Sequence, residues 1–368
     1  MNKKLLITIC SFVLVVGALL AVCFGNFNAG GGATTGGGEG EKKLYVTYSF
    51  DYFDTSTQIY GFAESEAEFN EMGNEILQMI GEYHKLFDIY NVYEGIVNLR
   101  TINKLYNGEH KELVVDERII DMLLYAKRLY ATTNGKMNIA MGSVLSIWHD
   151  YRELAEEDPR KAAIPTMEEL EAAAKHTDIN NLIINEENNT VYISDPDMKL
   201  DVGAIAKGYA VEMVAQALEA RGISGFLINI GGNVRAVGKK PDGKLWSIGI
   251  ENPYEDSDEA CNAYLGIECE AVVTSGSYQR YYTVKGKDYH HIIDGETLMP
   301  ADYFVAVSII CQNSGDGDGL STALFCMPLE EGMALVESLD GVEAMWSLPD
   351  GTRVKSSGFE KFEDQYQK

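Results

Sequence analysis

The sequence contains little cysteine and little positive charge. Only six of its 368 residues are cysteines, and because no two of them form a C-x-x-C pair, neither a zinc cluster nor a thioredoxin-type redox motif is indicated. Lysine and arginine total 30 against 56 acidic residues, so the net charge is −26, and such a surface repels nucleic-acid phosphates. A hydrophobic content of 46% is sufficient for a sizeable core. The composition therefore favours a folded protein that does not bind nucleic acid.

Residues 1–24 are typical of a membrane anchor or signal segment. Lys3 and Lys4 precede about twenty uncharged, mostly apolar residues, a run long enough to cross a bilayer. The positive-inside tendency places the acidic remainder across the membrane. An uncleaved anchor, a lipoprotein attached at Cys23 and ordinary signal cleavage all stay open. We expect a membrane-anchored protein on the extracytoplasmic face of a bacterial cytoplasmic membrane.

Residues 25–41 are predicted to be a flexible linker, because Gly25–Gly40 holds eight glycines in sixteen positions. Residues 42–368 are predicted to form one domain. Its strand-like runs include Leu44–Phe50 and Thr57–Phe62, and apolar stripes predict helices at Glu64–Leu86 and Glu117–Thr132. Short strands follow, interrupted by predicted helices at about Ala204–Arg221, Leu320–Cys326 and Glu330–Leu339, so we predict an α+β fold with a mostly antiparallel sheet and packed helices.

The segment Leu200–Ala210 contains a glycine turn that leads into a predicted helix. A helix N-terminus presents free backbone N–H groups and the positive end of the helix dipole, and Lys207 in the first turn adds a full charge. This combination suits a phosphate, although a lysine here could also be an ordinary surface residue. The G-x-x-x-x-G-K-[ST] motif of nucleotide-binding loops is absent.

Other candidate site segments lie at predicted strands. Asn229–Asn233 contains two glycines that would let backbone approach a ligand closely, and Thr274–Tyr278 offers hydroxyl groups with Arg280 nearby. A glycine bulge or a simple turn is the alternative for each. His290 and His291 alternate along a strand, so only one of them can face a cleft. A structural role is the alternative for these histidines.

Asp318 and Thr322 lie four residues apart, which places their oxygen atoms on one face of a helix. A carboxylate and a hydroxyl could hold Mg²⁺, which takes few protein oxygens and leaves positions for water and substrate phosphate. An EF-hand is excluded because Leu320 occupies the third ligand position. The alternative is an N-capped helix in which Asp318 bonds the first turn.

Taken in order, these segments resemble the ApbE family of FAD:protein FMN transferases, over nearly all of Lys42–Asp350. The family patterns D-[LV]-G-[AG]-[IL]-A-K-G-[YF]-A, N-I-G-G, T-S-G-x-Y-x-R, H-I-[IL]-D and D-[AG]-L-[AS]-T-A resemble Asp201–Ala210, Asn229–Gly232, Thr274–Arg280, His291–Asp294 and Asp318–Ala323. Upstream, Phe87–Tyr90 and Gly135–Asn138 are also similar to family motifs. The chain departs from the family at Phe53–Thr55, where M-G-T is usual, and at Asn138, where Asp is usual.

The resemblance implies an exported, Mg²⁺-dependent enzyme that transfers FMN from FAD to a threonine or serine of a partner protein and releases AMP. It implies that Mg²⁺ is held by the Asp318 carboxylate, the Thr322 hydroxyl and the Ala204 carbonyl, and that His291 is the catalytic base. The residues that it implies as contacts to FAD are Tyr90, Met137, Asn138, Asp201, Lys207 and Ile292.

The implied acceptor carries a D-G-x-[ST]-G-A-T-like sequence. The most similar segment of this chain, Asp294–Met299, lacks the Gly-Ala-Thr ending, so we expect the acceptor on another protein that is exported or membrane-bound. Two other functions stay open: an exported FAD pyrophosphatase that uses water in place of the acceptor and yields FMN and AMP, and a flavin carrier without catalytic activity.

Overall fold

The computed structural model describes residues 41–105, 111–254 and 257–366. The predicted anchor or signal segment, residues 1–24, and the linker up to residue 40 lie outside the described residues, so both stay predictions. None of the helices in the described ranges is long and apolar enough to cross a bilayer.

Eight strands form one large antiparallel sheet in the order β1-β2-β6-β7-β10-β13-β14-β15. Smaller sheets are β3-β5-β4, β8-β9 and β11-β12. The strands of the described ranges are β1 (Lys43–Tyr52), β2 (Thr55–Ala63), β3 (Leu113–Val114), β4 (Leu182–Asn185), β5 (Thr190–Ile193), β6 (Phe226–Ile230), β7 (Asn233–Val237), β8 (Trp246–Glu251), β9 (Cys261–Ile267), β10 (Ala271–Gly276), β11 (Tyr281–Val284), β12 (Lys287–His290), β13 (Ala306–Cys311), β14 (Glu343–Ser347) and β15 (Arg353–Lys355). The predicted α+β fold with a mostly antiparallel sheet is confirmed.

The helices connect and cover these strands. In the same ranges they are α1 (Glu66–Phe87), α2 (Leu99–Leu105), α3 (Glu117–Thr132), α4 (Gly142–Glu157), α5 (Met167–Ala174), α6 (Ala206–Ala220), α7 (Ser314–Phe325), α8 (Leu329–Glu337) and α9 (Glu360–Asp364). Helix α3 has the predicted bounds. Helix α1 begins two residues later than predicted, where the Ser65 side chain accepts the backbone N–H of Glu68 and caps the first turn.

The large sheet is covered on both faces, which buries its strands. On one face, Ile228 of β6 packs with Ile76 of α1 and Val214 of α6. On the other face, Leu227 of β6 joins a second cluster with Trp246 of the β8-β9 hairpin. This alternation along β6 fixes the register of the sheet, because a slip by one residue would exchange the two faces.

Helix α7 differs from its prediction. The sequence predicted a helix at Leu320–Cys326 preceded by Asp318 as a possible N-cap, whereas the helix begins at Ser314. The N-cap is Asn313, whose side chain accepts the backbone N–H of Gly315 at 2.8 Å. Asp318 therefore lies inside the helix, and the N-cap interpretation of this residue is wrong.

The sequence left the state of the cysteines open. The four in the described residues, Cys261, Cys269, Cys311 and Cys326, are free thiols. Burial raises the pKa of both Cys311 and Cys326 to about 12, so these two thiols stay protonated and unreactive at neutral pH.

Candidate active site

The centre of the candidate site is a contact between α6 and α7. Gly208, in the first turn of α6, donates its backbone N–H to Oδ2 of Asp318 at 2.8 Å. A Cβ at position 208 would lie 2.2 Å from the carbonyl oxygen of Ser314 and 2.5 Å from the Cβ of Asp318. The helices approach this closely because residue 208 is glycine. One of the N–H groups expected to face a phosphate is thus occupied by a carboxylate of the protein itself.

This contact also changes the hydrogen bonding at the start of α6. In a regular α-helix the N–H of Gly208 would donate to the carbonyl of Ala204, four residues earlier. Because it donates to Asp318, the Ala204 carbonyl has no helical donor within the described part of the chain. One helical turn beyond Asp318, Oγ1 of Thr322 lies 3.5 Å from Oγ of Ser275. A carboxylate, a carbonyl and a hydroxyl are the oxygen ligands that Mg²⁺ prefers, so the residues present fit this ion.

The Asp318 carboxylate is poorly compensated for its burial. The residue is 4% exposed, and burial raises the pKa of Asp318, opposed by Lys207 and by the N–H of Gly208. The ammonium of Lys207 lies 3.4 Å from Oδ1 of Asp318 and also donates to the carbonyl of Gly203 at 3.2 Å. A buried carboxylate that contacts a single cation would gain from a further positive charge, as a divalent ion provides.

The two adjacent histidines have different surroundings, although both line the cleft, where the strand pattern had predicted only one of them. His290 is held by the backbone, since its Nε2 lies 2.8 Å from the carbonyl of Ala301 and its Nδ1 accepts the N–H of Ile292. His291 follows the end of β12, and its Nδ1 lies 3.2 Å from the carbonyl of Arg280. A carbonyl only accepts hydrogen bonds, so Nδ1 of His291 carries the proton and Nε2 carries the lone pair.

The charge state of His291 follows from its position in the cleft. Enclosure by the protein lowers the pKa of His291 below its ordinary value, and the nearby cations of Arg280 and Lys207 lower it further. The imidazole is therefore neutral at pH 7. A neutral histidine with an unprotonated Nε2 is in the form that a general base requires.

A single cleft of about 620 Å³ is lined by all of the predicted site residues, and this size is typical of sites for small molecules. The sequence places these residues in separate segments, and the fold brings them together. They are Tyr90, Met137, Asn138, Asp201, Ala204, Lys207, His291, Ile292, Asp318 and Thr322. Their chemical roles stay predictions.

The predicted flavin contacts differ in how freely they face the cleft. Tyr90 is exposed and its ring lies 5.2 Å from that of His149. Met137 is 1% exposed and forms part of the cleft wall. The amide of Asn138 is engaged on both sides, because it donates to the carbonyl of Thr177 and accepts the N–H of Ala140. Asn138 therefore shapes its own turn, and its side chain has little capacity to bond a ligand.

Asp201 lies at the start of the loop that precedes α6, and Lys207 lies in the first turn of that helix. Its carboxylate accepts the N–H of Gly203 at 2.9 Å. Burial raises the pKa of Asp201, and that hydrogen bond opposes the shift. The loop before α6 is thus organised by Asp201 at one end and by Asp318 at the other.

Several residues that line the cleft were not predicted from the sequence. His149 and Arg152 of α4 line it, and the Arg152 guanidinium lies 3.0 Å from Nδ1 of His149. Asn233 is 2% exposed, its Oδ1 has no hydrogen-bond partner in the described residues, and its side chain lowers the pKa of Asp318. Asn233 lies in the candidate segment Asn229–Asn233 but was not itself predicted as a site residue, whereas nothing in the spacing indicated α4.

A second group of possible metal ligands lies outside the cleft. His176, Asp195 and Asp197 place one ligand atom each within 4.8 Å of the others. Nδ1 of His176 already lies 2.9 Å from Asp195, so the pair is explained as a surface hydrogen bond. These residues do not line the cleft and are not the predicted magnesium ligands.

Comparisons with known proteins support the motif resemblance. The sequence profile of the ApbE family matches residues 53–346. An FAD:protein FMN transferase of Klebsiella pneumoniae is 28% identical over 291 residues, 78% of this chain and 85% of the relative. One of Vibrio cholerae is 31% identical over 294 residues, 80% of this chain and 82% of the relative. The crystal structure of the ApbE protein of Thermotoga maritima is similar with a TM-score of 0.74 and 28% identity, covering 87% of this chain and 99% of that chain.

Proposed function

The chain belongs to the ApbE family, and from this premise we propose that it is an FAD:protein FMN transferase. It would transfer FMN to a threonine or serine hydroxyl of a partner protein, release AMP and depend on Mg²⁺. The observation that carries the proposal is the contact between Gly208 and Asp318. Asp318, Thr322 and Ala204 line the same cleft as Lys207 and His291, which supports the proposal.

The proposed Mg²⁺ would be held by Asp318, Thr322 and the carbonyl of Ala204. When bound, such an ion stabilises the negative charge that develops on pyrophosphate oxygens during phosphoryl transfer. Lys207 acts on the same charge, because its ammonium borders the cleft and is fixed by Gly203 and Asp318. A donor that is fixed before the reaction stabilises the transition state without a cost of reorganisation.

The proton of the acceptor hydroxyl is the other requirement of the reaction. A bond forms between the acceptor oxygen and the phosphorus of the FMN half, and the bond from that phosphorus to the bridging oxygen breaks, so AMP leaves with that oxygen. The hydroxyl proton passes to Nε2 of His291. Nδ1 of His291 holds the ring through the carbonyl of Arg280, which keeps the lone pair on Nε2.

Local positive charge explains how so acidic a chain would bind an anionic dinucleotide. Four cationic side chains line the cleft: Lys136, Arg152, Lys207 and Arg280. Charges on the outer surface are screened beyond about 8–10 Å at physiological ionic strength. Five carboxylates, those of Asp54, Asp88, Glu153, Asp201 and Asp318, line the same cleft, so a bound Mg²⁺ would supply the remaining positive charge that the phosphates need.

We also propose that the enzyme is held at the extracytoplasmic face of the membrane by its N-terminal segment. The support is the apolar run of residues 1–24 behind two lysines, followed by the glycine-rich residues 25–41. A tether of that composition would let the catalytic domain reach membrane-bound acceptors. Protease added to intact spheroplasts should digest the domain, and digestion only after lysis would contradict this location.

The function is tested by incubating the full-length chain with FAD, Mg²⁺ and a polypeptide that contains a D-G-x-T-G-A-T sequence. We expect covalent flavin on that polypeptide and an equal amount of AMP. AMP without covalent flavin would instead make the protein a pyrophosphatase. Tight FAD binding without AMP, retained in Asp318→Ala, would make it a carrier.

A further inference from the structure

Strand β1 has an open edge. It lies at the end of the large sheet and pairs with β2 on one side, and no other strand of the described residues pairs with it. Proteins usually protect such an edge with charge, proline or a covering element. Between Leu44 and Phe50 the strand contains neither charge nor proline. The uncharged stretch that precedes the bulge between Ser49 and Tyr52 can pair with another strand.

One face of β1 beside this edge exposes large apolar side chains. Val46, Tyr48 and Phe50 are 39%, 55% and 58% exposed, and alternation along a strand places them on the same face. The opposite face is covered, since the ring of Tyr45 stacks on that of Phe69 of α1 at 5.6 Å. Three exposed apolar residues in a row next to an open edge indicate a surface that has a partner.

We propose that β1 pairs antiparallel with β1 of a second copy of this chain, around a two-fold axis at Thr47. In this register Val46 lies opposite Tyr48 of the second copy, and Leu44 lies opposite its Phe50. A two-fold axis repeats each pair, so the exposed stripe of one copy covers that of the other. Directly opposed apolar and aromatic pairs stabilise antiparallel strands.

Charge complementarity selects this register. The uncharged segment is bounded by Lys43 at its start and Asp51 at its end. With the axis at Thr47, Lys43 of each copy approaches Asp51 of the other, so opposite charges meet at both ends. An axis at residue 46 or 48 would move these charges apart.

The irregularity in β1 limits the length of the pairing. The register against β2 is regular from Lys43 to Ser49 and shifts between Ser49 and Tyr52. Backbone pairing is therefore regular from Tyr45 to Ser49, and Leu44 and Lys43 meet Phe50 and Asp51 of the second copy through their side chains, beyond the paired backbone. A single pair of strands buries less area than the roughly 1,200–2,000 Å² of stable interfaces, so the dimer should dissociate on dilution.

Cysteine cross-linking tests the register. Directly opposed residues of antiparallel strands lie within disulfide reach, whereas diagonal neighbours do not. We would replace Cys10 and Cys23 by serine in the full-length chain and add Val46→Cys, Tyr48→Cys or both. The double variant should form a disulfide-linked dimer under mild oxidation, and neither single variant should. No dimer in the double variant, or equal dimer in a single variant, would overturn the proposed pairing.

Sedimentation of the full-length chain over a concentration series tests the dimer without new cysteines. Wild type should shift from monomer to dimer with concentration, and Tyr48→Lys should shift the midpoint at least about tenfold upward because it places charge against the apolar stripe. The matched control is Ile183→Lys, which is 50% exposed on another sheet and should leave the midpoint unchanged. A monomer at all concentrations, or equal midpoints for wild type and Tyr48→Lys, would contradict the proposal.

Discussion

Gly208 and Asp318 are 110 residues apart in the sequence, yet the backbone N–H of Gly208 donates to Oδ2 of Asp318 at 2.8 Å. The bond joins the first turn of α6 to the interior of α7. It withdraws the N–H from the Ala204 carbonyl, and Ala204 and Asp318 both line the cleft. The bond therefore joins the two segments of the chain that contain the predicted magnesium ligands.

Gly208→Ala should separate these helices. The added Cβ would meet the backbone oxygen of Ser314 at 2.2 Å, and a backbone atom cannot move aside as a side chain can. We expect a loss of about 1–3 kcal/mol in the free energy of unfolding, the usual cost of overpacking, and weaker Mg²⁺ binding. Urea denaturation and magnesium titration measure the two effects.

Gly319→Ala is the matched control for that variant. Its Cβ would lie 2.7 Å from Cδ1 of Leu129, which is the end of a flexible side chain. Alanine also favours a helix by about 1 kcal/mol over glycine. The two variants should thus differ clearly in stability, and equal stability would show that the close contact at Gly208 is unimportant.

Asp318→Asn should stabilise the metal-free protein while it removes metal-dependent activity. The folded-state pKa of Asp318 is raised, so its contribution to stability is present below the unfolded pKa and is lost as the pH rises through the folded value. At neutral pH the buried negative charge therefore lowers the free energy of unfolding, and asparagine removes that charge. Thermal unfolding with and without Mg²⁺ tests this. Mg²⁺ should raise the melting temperature of the wild type and should not change that of Asp318→Asn. A variant that is less stable without metal, or still stabilised by Mg²⁺, would contradict the assignment.

His291→Gln should slow transfer by about 10²–10⁴-fold if His291 is the general base. Because the pKa of His291 is lowered, the neutral base persists as the pH falls. The rate for wild type should therefore stay level down to about pH 6.5, the ordinary histidine value, and decline only below it. The pH profile of kcat/KM measures this. His176→Gln, at the exposed Asp195 pair, should leave the profile unchanged, and a decline centred above about pH 6.5 would remove His291 as the base.

Glu212 should be important for stability through the start of α7. Its carboxylate accepts hydrogen bonds from Nε of Arg235 at 3.0 Å and from the backbone N–H of Ser314 at 2.9 Å. The side chains of Glu212 and Arg235 are each 4% exposed. Glu212→Gln should cost about 3–5 kcal/mol because it leaves a buried charge partly unpaired. Glu75→Gln, in the exposed pair with Arg221, should cost less than about 1 kcal/mol. Equal losses in urea denaturation would show that burial does not matter here.

The sequence predicted the long amphipathic helices well because their apolar stripes are local signals. It failed at the glycine-rich start of α7, where it predicted a helix only from Leu320 although the helix begins at Ser314. The structure explains these glycines by packing: a Cβ at Gly317 would meet the Val273 side chain at 2.7 Å. Tertiary contacts thus override the low helix propensity of glycine, and such contacts are invisible in a single sequence.

The candidate site was predictable to the extent that its residues stand in recognisable motifs. Lys207, His291 and Asp318 belong to such motifs, and the fold brings them into one cleft. His149 was missed because it reaches the cleft only through the packing of α4. The diverted hydrogen bond of Gly208 was equally unpredictable, because it depends on the spacing between two helices.

The most direct test of the account is to locate a metal ion in crystals of the full-length chain grown with FAD and Mn²⁺ in place of Mg²⁺. Anomalous scattering identifies the manganese position without ambiguity. We expect a single strong peak in the cleft, within coordination distance of the Asp318 carboxylate, the Thr322 hydroxyl and the Ala204 carbonyl, beside the FAD phosphates. A peak only at His176, Asp195 and Asp197, or FAD bound with no metal at Asp318, would contradict the account.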